Sequence, residues 1–179
     1  WSRVRGGLRL ADVQHPRVAA QIEAFKRDPA YLYLFSRRAK PFLHYLVEQI
    51  HRRGLPMDLV FVPMVESAFE PTAVSPKEAA GLWQIIPATG EERGLLIAAG
   101  YDGRFDIHAS TDAALGYLRD LNKMFAGDWL LALAAYNAGP GTVQEAIKAS
   151  KAVRPSAEAQ SAAGDPEVAT VSDPRPQSL

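Results

Sequence analysis

Leu59-Val60-Phe61-Val62-Pro63-Met64-Val65-Glu66-Ser67 is an apolar run that ends on a carboxylate. Pro63 removes a backbone N–H, so a helix beginning near Leu55-Pro56-Met57-Asp58 is predicted to kink there or end early. Glu66 then falls near that helix's end, among apolar neighbours. Burial disfavours a charged carboxylate and raises its pKa, which keeps a proton available for donation near neutral pH. Taken alone, a Glu beside a Ser at a helix end is ordinarily a surface or capping pair.

Working outward, the chain reads as helix after helix. Upstream, Asp28-Pro29 is an N-cap followed by proline at the first helical position. Ala39, Phe42, Leu43, Leu46, Val47 and Ile50 recur at helical spacing, and Gly54 stops the pattern. Downstream, residues 70–83 are loop-like, with Pro71, Pro76 and Gly81. Pro87 to Arg93 reads as a short helix closed by Gly94, and Gly100 to Asp106 as a turn region. Ser110 or Thr111 is predicted to cap a helix running to about Phe125, with Ala114, Leu115, Leu118 and Leu121 on one face. After the break at Gly127-Asp128, Trp129 to Asn137 is apolar all round, the pattern of a buried central helix. Gly139-Pro140-Gly141 turns the chain into a last helix over Thr142 to Lys148. Strand signal is confined to Gly81 to Ile86, so the fold class is mainly α with at most a minimal β element.

The 179 residues are 47% hydrophobic and 22% charged, which fits one globular domain, placed at residues 1–150. From Lys151 onward Ala, Ser, Pro, Asp and Glu dominate without an aromatic residue. Residues 151–179 are therefore expected to form a disordered tail or linker. The absence of cysteine excludes disulfides and thiolate chemistry. The formal net charge is zero, but residues 1–53 carry eleven Lys and Arg against four Asp and Glu. That basic end reads as a solvated helix surface, or as a contact with an anionic polymer or membrane surface. Nucleic acid is not an expected partner, because the whole chain is not basic and no nucleic-acid-binding motif is present. No apolar stretch approaches the ~20 residues that span a bilayer. The chain opens at Trp1, which reads as a mature or excised segment. His44 and His51 lie seven apart on one helix face and read as surface residues; no metal site is expected.

Two polar-aromatic segments follow Glu66, namely Gly81-Leu82-Trp83-Gln84 and Ala135-Tyr136-Asn137-Ala138-Gly139. A lone acid, an amide-bearing turn and a Tyr-Asn pair suggest a sugar-cleaving site. Glycosidic cleavage needs a proton on the leaving oxygen and support for an oxocarbenium-like transition state. Glu66 is the one acid with an apolar setting. Glu70, Glu78, Asp102, Asp106 and Asp112 fall in polar loops or at a helix start and read as surface or capping groups. Trp83 reads either as core or as a platform for a sugar ring. Asn137 before Gly139 would ordinarily be only a helix C-terminal signal.

In this order and spacing the residues resemble the lytic transglycosylases of bacterial cell-wall turnover, in particular the membrane-bound murein transglycosylase D group. The resemblance covers residues 1 to 149. It rests on Leu55-Pro56, on Val62-Pro63-Met64-Val65-Glu66-Ser67-Ala68-Phe69, on Ser75, on Gly81 through Gly90, on Tyr101-Asp102-Gly103-Arg104, on Ser110-Thr111 and on Ala132 through Gly139. It implies a goose-type lysozyme-like helical fold, a peptidoglycan substrate, no cofactor, and Glu66 as sole general acid and then base in forming a 1,6-anhydromuramoyl product. It also implies substrate-binding roles for Ser75, Gln84, Tyr136 and Asn137, with Ser75 steadying the substrate or the acid and Tyr136 orienting Glu66 or the N-acetyl group. A monomer in the bacterial envelope, on the periplasmic side, is expected, and the resemblance allows outer-membrane anchoring through a segment outside this chain.

The pattern departs from the family in three places. Glu78 stands where members usually have Gly, and Ile86 where they often have Met. Members also continue into a helical motif with a Glu-Thr pair and a Tyr-Val step, whose tyrosine reaches the acid, whereas residues 151–179 hold no tyrosine. Two rival readings follow: a hydrolytic muramidase, which needs a positioned water and usually a second carboxylate, and a catalytically weak glycan-binding module.

Overall fold

The computed structural model describes residues 1–162. Two N-terminal helices, α1 (Ser2–Gly6) and α2 (Pro16–Arg27), precede the long α3 (Pro29–Arg52). Asp28 caps α3 by accepting the Tyr31 N–H at 2.9 Å, with Pro29 at the first helical position. Its buried face is Phe35, Ala39, Leu46, Val47 and Ile50; four of these belong to the predicted stripe, Phe35 extends it, and the predicted Phe42 and Leu43 are only half-buried, while Gly54 takes the left-handed conformation just past the helix end.

The decisive apolar run divides as its proline requires. Met57–Phe61 is a 3-10 turn, and α4 (Val62–Ser67) begins with Pro63 in its first turn. A proline there costs no hydrogen bond, because the first N–H groups of a helix have no intrahelical acceptor. The helix predicted to start at Leu55 is thus two elements. Ala68 and Phe69, with φ of 49° and 58°, then stop α4 abruptly. The Ser67 hydroxyl donates toward the Pro63 and Leu82 carbonyl oxygens at 3.0 and 2.8 Å, tying the end of α4 to the following loop.

After α5 (Pro87–Glu92) comes a two-stranded antiparallel hairpin, β1 (Ile97–Ala98) and β2 (Tyr101–Asp102). The expected β element at Gly81 to Ile86 is instead a pair of isolated bridges, Val74 with Ala80 and Ala80 with Ile85, and the only sheet among the described residues lies at 97–102. Helix α6 (Ile107–Met124) is capped by Asp106, whose Oδ1 accepts the His108 and Ala109 N–H groups, both at 2.8 Å. Ser110 and Thr111 are not the cap. Both are fully buried inside the helix, where Thr111 Oγ1 accepts the Trp83 indole N–H at 2.9 Å.

Asp128 caps α7 (Trp129–Ala138), and α8 (Pro140–Ala162) follows directly. Helix α7 is less enclosed than its composition suggests. Ala132 and Ala135 are buried, whereas Leu130 is 47% exposed, so one face alone meets the core. The last helix runs past the expected Lys148 to Ala162, because the alanine-rich composition that reads as a tail also has high helix propensity. The remainder of the expected tail, 163–179, lies outside the described residues.

Leu46, Ile50, Leu59, Leu82, Trp83, Leu115 and Leu118 are essentially inaccessible and form the main core between α3, the Glu66 segment and α6. Each such side chain contributes roughly 1.5–3 kcal/mol of burial. A smaller cluster of Leu121, Phe125, Ala132, Ala135 and Val143 joins α6 to α7 and α8. The mainly helical architecture agrees with the sequence-based expectation.

Candidate active site

Glu66 sits in the last turn of α4, half-buried, beside a groove of about 600 Å³. Burial pushes its carboxyl above the ordinary glutamate value, and neither a hydrogen bond nor a charged neighbour offsets that shift. It is the only carboxylate lining the groove among the described residues. Four other acids are committed elsewhere. Glu70 accepts from Thr72 and pairs with Arg38, Asp102 with Arg104, Asp112 with Arg53, and Asp106 caps α6.

Ser75, Gln84, Tyr136 and Asn137 line the same groove, so the residues singled out from sequence are brought together from three separate segments. Their local roles are specific. Ser75 Oγ accepts the N–H groups of Lys77 and Ala79 at 3.2 and 3.1 Å, which folds residues 75–79 into a tight turn. Gln84 adopts φ of 50° and donates its amide N–H groups to the Ala73 and Gly81 carbonyl oxygens at 3.1 and 3.0 Å. Its side-chain oxygen, an acceptor, is therefore the atom left for other contacts. Tyr136 donates its hydroxyl to the Trp83 carbonyl oxygen at 2.8 Å, not to Glu66. Burial raises the Tyr136 phenol, and the adjacent Glu66 charge raises it further, so it stays protonated. Asn137 is exposed on the groove wall at the end of α7. Trp83 is fully buried, which settles it as core.

The wall carrying Ser75 and Gln84 hangs on Arg104. Arg104 as a whole is 9% exposed. It pairs with Asp102 through Nε and Nη2 and donates from Nη1 to the Glu78 and Ile85 carbonyl oxygens at 2.6 and 3.2 Å. A Cβ on Gly81 would collide with the Arg104 carbonyl, and Gly81 has φ of 78°, so only glycine fits between them. Glu78 occupies a left-handed position, φ 61°, with its side chain exposed. Glycine adopts that conformation freely, and Glu78 is not among the residues that line the groove.

Sequence reasoning missed Lys77, Thr89, Arg93 and Tyr117 as groove residues. The Arg93 guanidinium lies 4.6 Å from the Tyr117 ring centre and pairs with Asp120, and the Tyr117 and Tyr136 ring centres are 5.7 Å apart. No periodicity marks such contacts, because Arg93 just past α5, Tyr117 of α6 and Tyr136 of α7 meet only through packing. Among the described residues there is no cluster of groups able to hold a metal ion, and no helix long and apolar enough to cross a membrane.

The fold is a small helical domain with a half-buried carboxylate beside a polar-aromatic groove. The family described as the transglycosylase SLT domain matches residues 47–158, and the chain belongs to that family. It is 45% identical over 152 residues to membrane-bound lytic murein transglycosylase D of Escherichia coli strain K12, covering 85% of this chain and 34% of that protein. It is 46% identical over 112 residues to a putative tributyltin chloride resistance protein of Alteromonas sp. strain M-1, covering 63% of this chain and 54% of that one. Among solved structures, an inactive mutant of lytic transglycosylase Slt from Pseudomonas aeruginosa aligns with a TM-score of 0.47 at 34% identity, over 58% of this chain and 18% of that one. The chain thus spans about a third of the length of the transglycosylase D relative.

Proposed function

We propose that this chain is the catalytic unit of a peptidoglycan lytic transglycosylase, with Glu66 as its only general acid and base. The observation that carries the reading is that Glu66 is the one carboxylate lining the groove among the described residues, and that burial raises its pKa above the ordinary glutamate value. In the proposed cycle the Glu66 carboxylic acid protonates the β-1,4 glycosidic oxygen between N-acetylmuramic acid and N-acetylglucosamine as the bond from that oxygen to C1 breaks. The carboxylate then takes the proton of the muramoyl 6-hydroxyl, and O6 bonds to C1. One C–O bond is broken and one is formed, no water is consumed, and Glu66 ends protonated. An acid whose pKa lies near the working pH serves both steps.

The remaining residues bind and orient. The Gln84 carbonyl oxygen accepts from sugar hydroxyl or amide groups, and Asn137 offers both a donor and an acceptor. Ser75 shapes its turn and presents its hydroxyl to the substrate. Tyr136 holds the acid's wall through Trp83. A hydrolase using two carboxylates would need a second acid facing Glu66, and the groove supplies none among the described residues. We place the activity in the bacterial envelope, on the periplasmic side where peptidoglycan lies, with the chain acting as a monomer.

Digestion of purified murein followed by mass spectrometry tests the reading. Products one water lighter than muramidase products are expected from the wild type and not from Glu66→Gln. Hydrated reducing ends would make the protein a muramidase, and murein binding without products would make it a glycan-binding module.

A further inference from the structure

Two cations line the groove, Lys77 and Arg93, and they are not equivalent. Arg93 is neutralised by Asp120 and covers the Tyr117 ring. Lys77 has no ion-pair partner among the described residues, and its side chain is exposed on the groove wall. Its backbone is held firmly. Ser75 Oγ accepts the Lys77 N–H, Glu78 N donates to the Ser75 carbonyl at 2.9 Å, and Arg104 grips the Glu78 carbonyl. A fixed turn therefore presents an ammonium without an ion-pair partner to a groove whose only acid among the described residues, Glu66, is biased toward its neutral form. A groove for an uncharged glycan has no use for that charge.

We propose that Lys77 forms an anion subsite that reads the carboxylate of the substrate's 3-O-acyl substituent, supplied either by the lactyl group of muramic acid or by the peptide amide-linked to it. The inference rests on the peptidoglycan reading and adds a determinant to it. Lys77 distinguishes muramic acid units, which carry an acid, from N-acetylglucosamine units, which do not. Such a contact is an exposed ion pair, so its effect is modest and salt-sensitive.

Binding to the Glu66→Gln protein, which prevents turnover, gives the test. Three ligands are titrated: a neutral N-acetylglucosamine oligomer, peptide-free glycan with free lactyl carboxylates, and glycan carrying its peptides. At low salt we expect a carboxylate-bearing ligand to bind roughly two- to fivefold tighter than the neutral oligomer. Adding Lys77→Met abolishes that preference, Lys77→Arg retains it, and high salt removes it. Preference for the peptide-free glycan alone assigns the lactyl carboxylate, whose charge is lost in the amide bond to the peptide; preference for the peptide-bearing ligand alone assigns the peptide, and preference for both shows that Lys77 accepts either carboxylate. A preference that survives Lys77→Met, or equal weakening of all three ligands, would overturn the inference while leaving the peptidoglycan reading intact. Failure of all three to bind would overturn both.

Discussion

Tyr136 donates its hydroxyl to the Trp83 carbonyl oxygen at 2.8 Å, which pins α7 to the turn before Gln84. This bond joins two walls of the groove that lie 53 residues apart in sequence. Tyr136→Phe keeps the ring against Tyr117 and removes only the bond. A carbonyl left without its donor costs about 1–3 kcal/mol when buried. Chemical denaturation should show a loss of that size. The pH at which Glu66 ionises should stay where it is, because burial, not a hydrogen bond from Tyr136, raises it. A large move of the acid limb would show that Tyr136 acts on Glu66 directly.

Glu66→Gln should abolish cleavage by at least about 100-fold, the scale of a lost general acid. It should also stabilise the protein in a pH-dependent way. The folded-state pKa of Glu66 lies above its unfolded value. The stability linked to its protonated form is therefore complete below the unfolded pKa and is lost as pH rises through the folded pKa. Glutamine never ionises, so thermal melts of the two proteins should differ little near about pH 4 and separate toward about pH 8, with Glu66→Gln the more stable. Melts that separate in the opposite sense would contradict a desolvated Glu66.

Helical periodicity made α3 and α6 legible, since the spacing of Leu46, Val47 and Ile50 or of Leu115 and Leu118 is a local signal, whereas α7 is legible only as a continuous apolar run. Glu66 was legible for a related reason, a charge at the end of an apolar run. The hairpin at Ile97–Asp102 was not, because two-residue strands hold no alternation to read. Asp106 lies in a stretch that looks like a turn, and Ser110 and Thr111 looked like better caps until burial showed them facing Trp83 and the core. Lys77, Arg93 and Tyr117 reach the groove only through packing of distant segments, so nothing in their immediate sequence announces them.

Arg104 is the strut of the Ser75–Gln84 wall. Arg104→Met removes both carbonyl contacts, to Glu78 and Ile85, and strands Asp102, whose carboxyl the guanidinium holds below the usual range. Removing one partner of a largely buried pair costs about 3 kcal/mol or more. Lysine cannot reproduce the fork, so Arg104→Lys should recover little of the loss. Calorimetry measures the stability. Murein turnover should fall in both variants even at temperatures where they remain folded, because the turn carrying Ser75 and Lys77 loses its anchor.

Glu78 takes a left-handed backbone conformation that glycine adopts freely and other residues adopt at a cost of about 1–2 kcal/mol. Its side chain is exposed, so nothing in the groove depends on it. Glu78→Gly should relieve the strain. Glycine gives back part of that gain through the greater freedom of the unfolded chain, about 0.5–1 kcal/mol, so a net stabilisation of up to about 1 kcal/mol is expected. Glu78→Ala keeps a Cβ in the same conformation and should give no comparable gain, which separates backbone relief from loss of the charge. Denaturant midpoints of the two variants make the comparison. Equal gains in both would place the strain elsewhere and assign the effect to loss of the Glu78 charge.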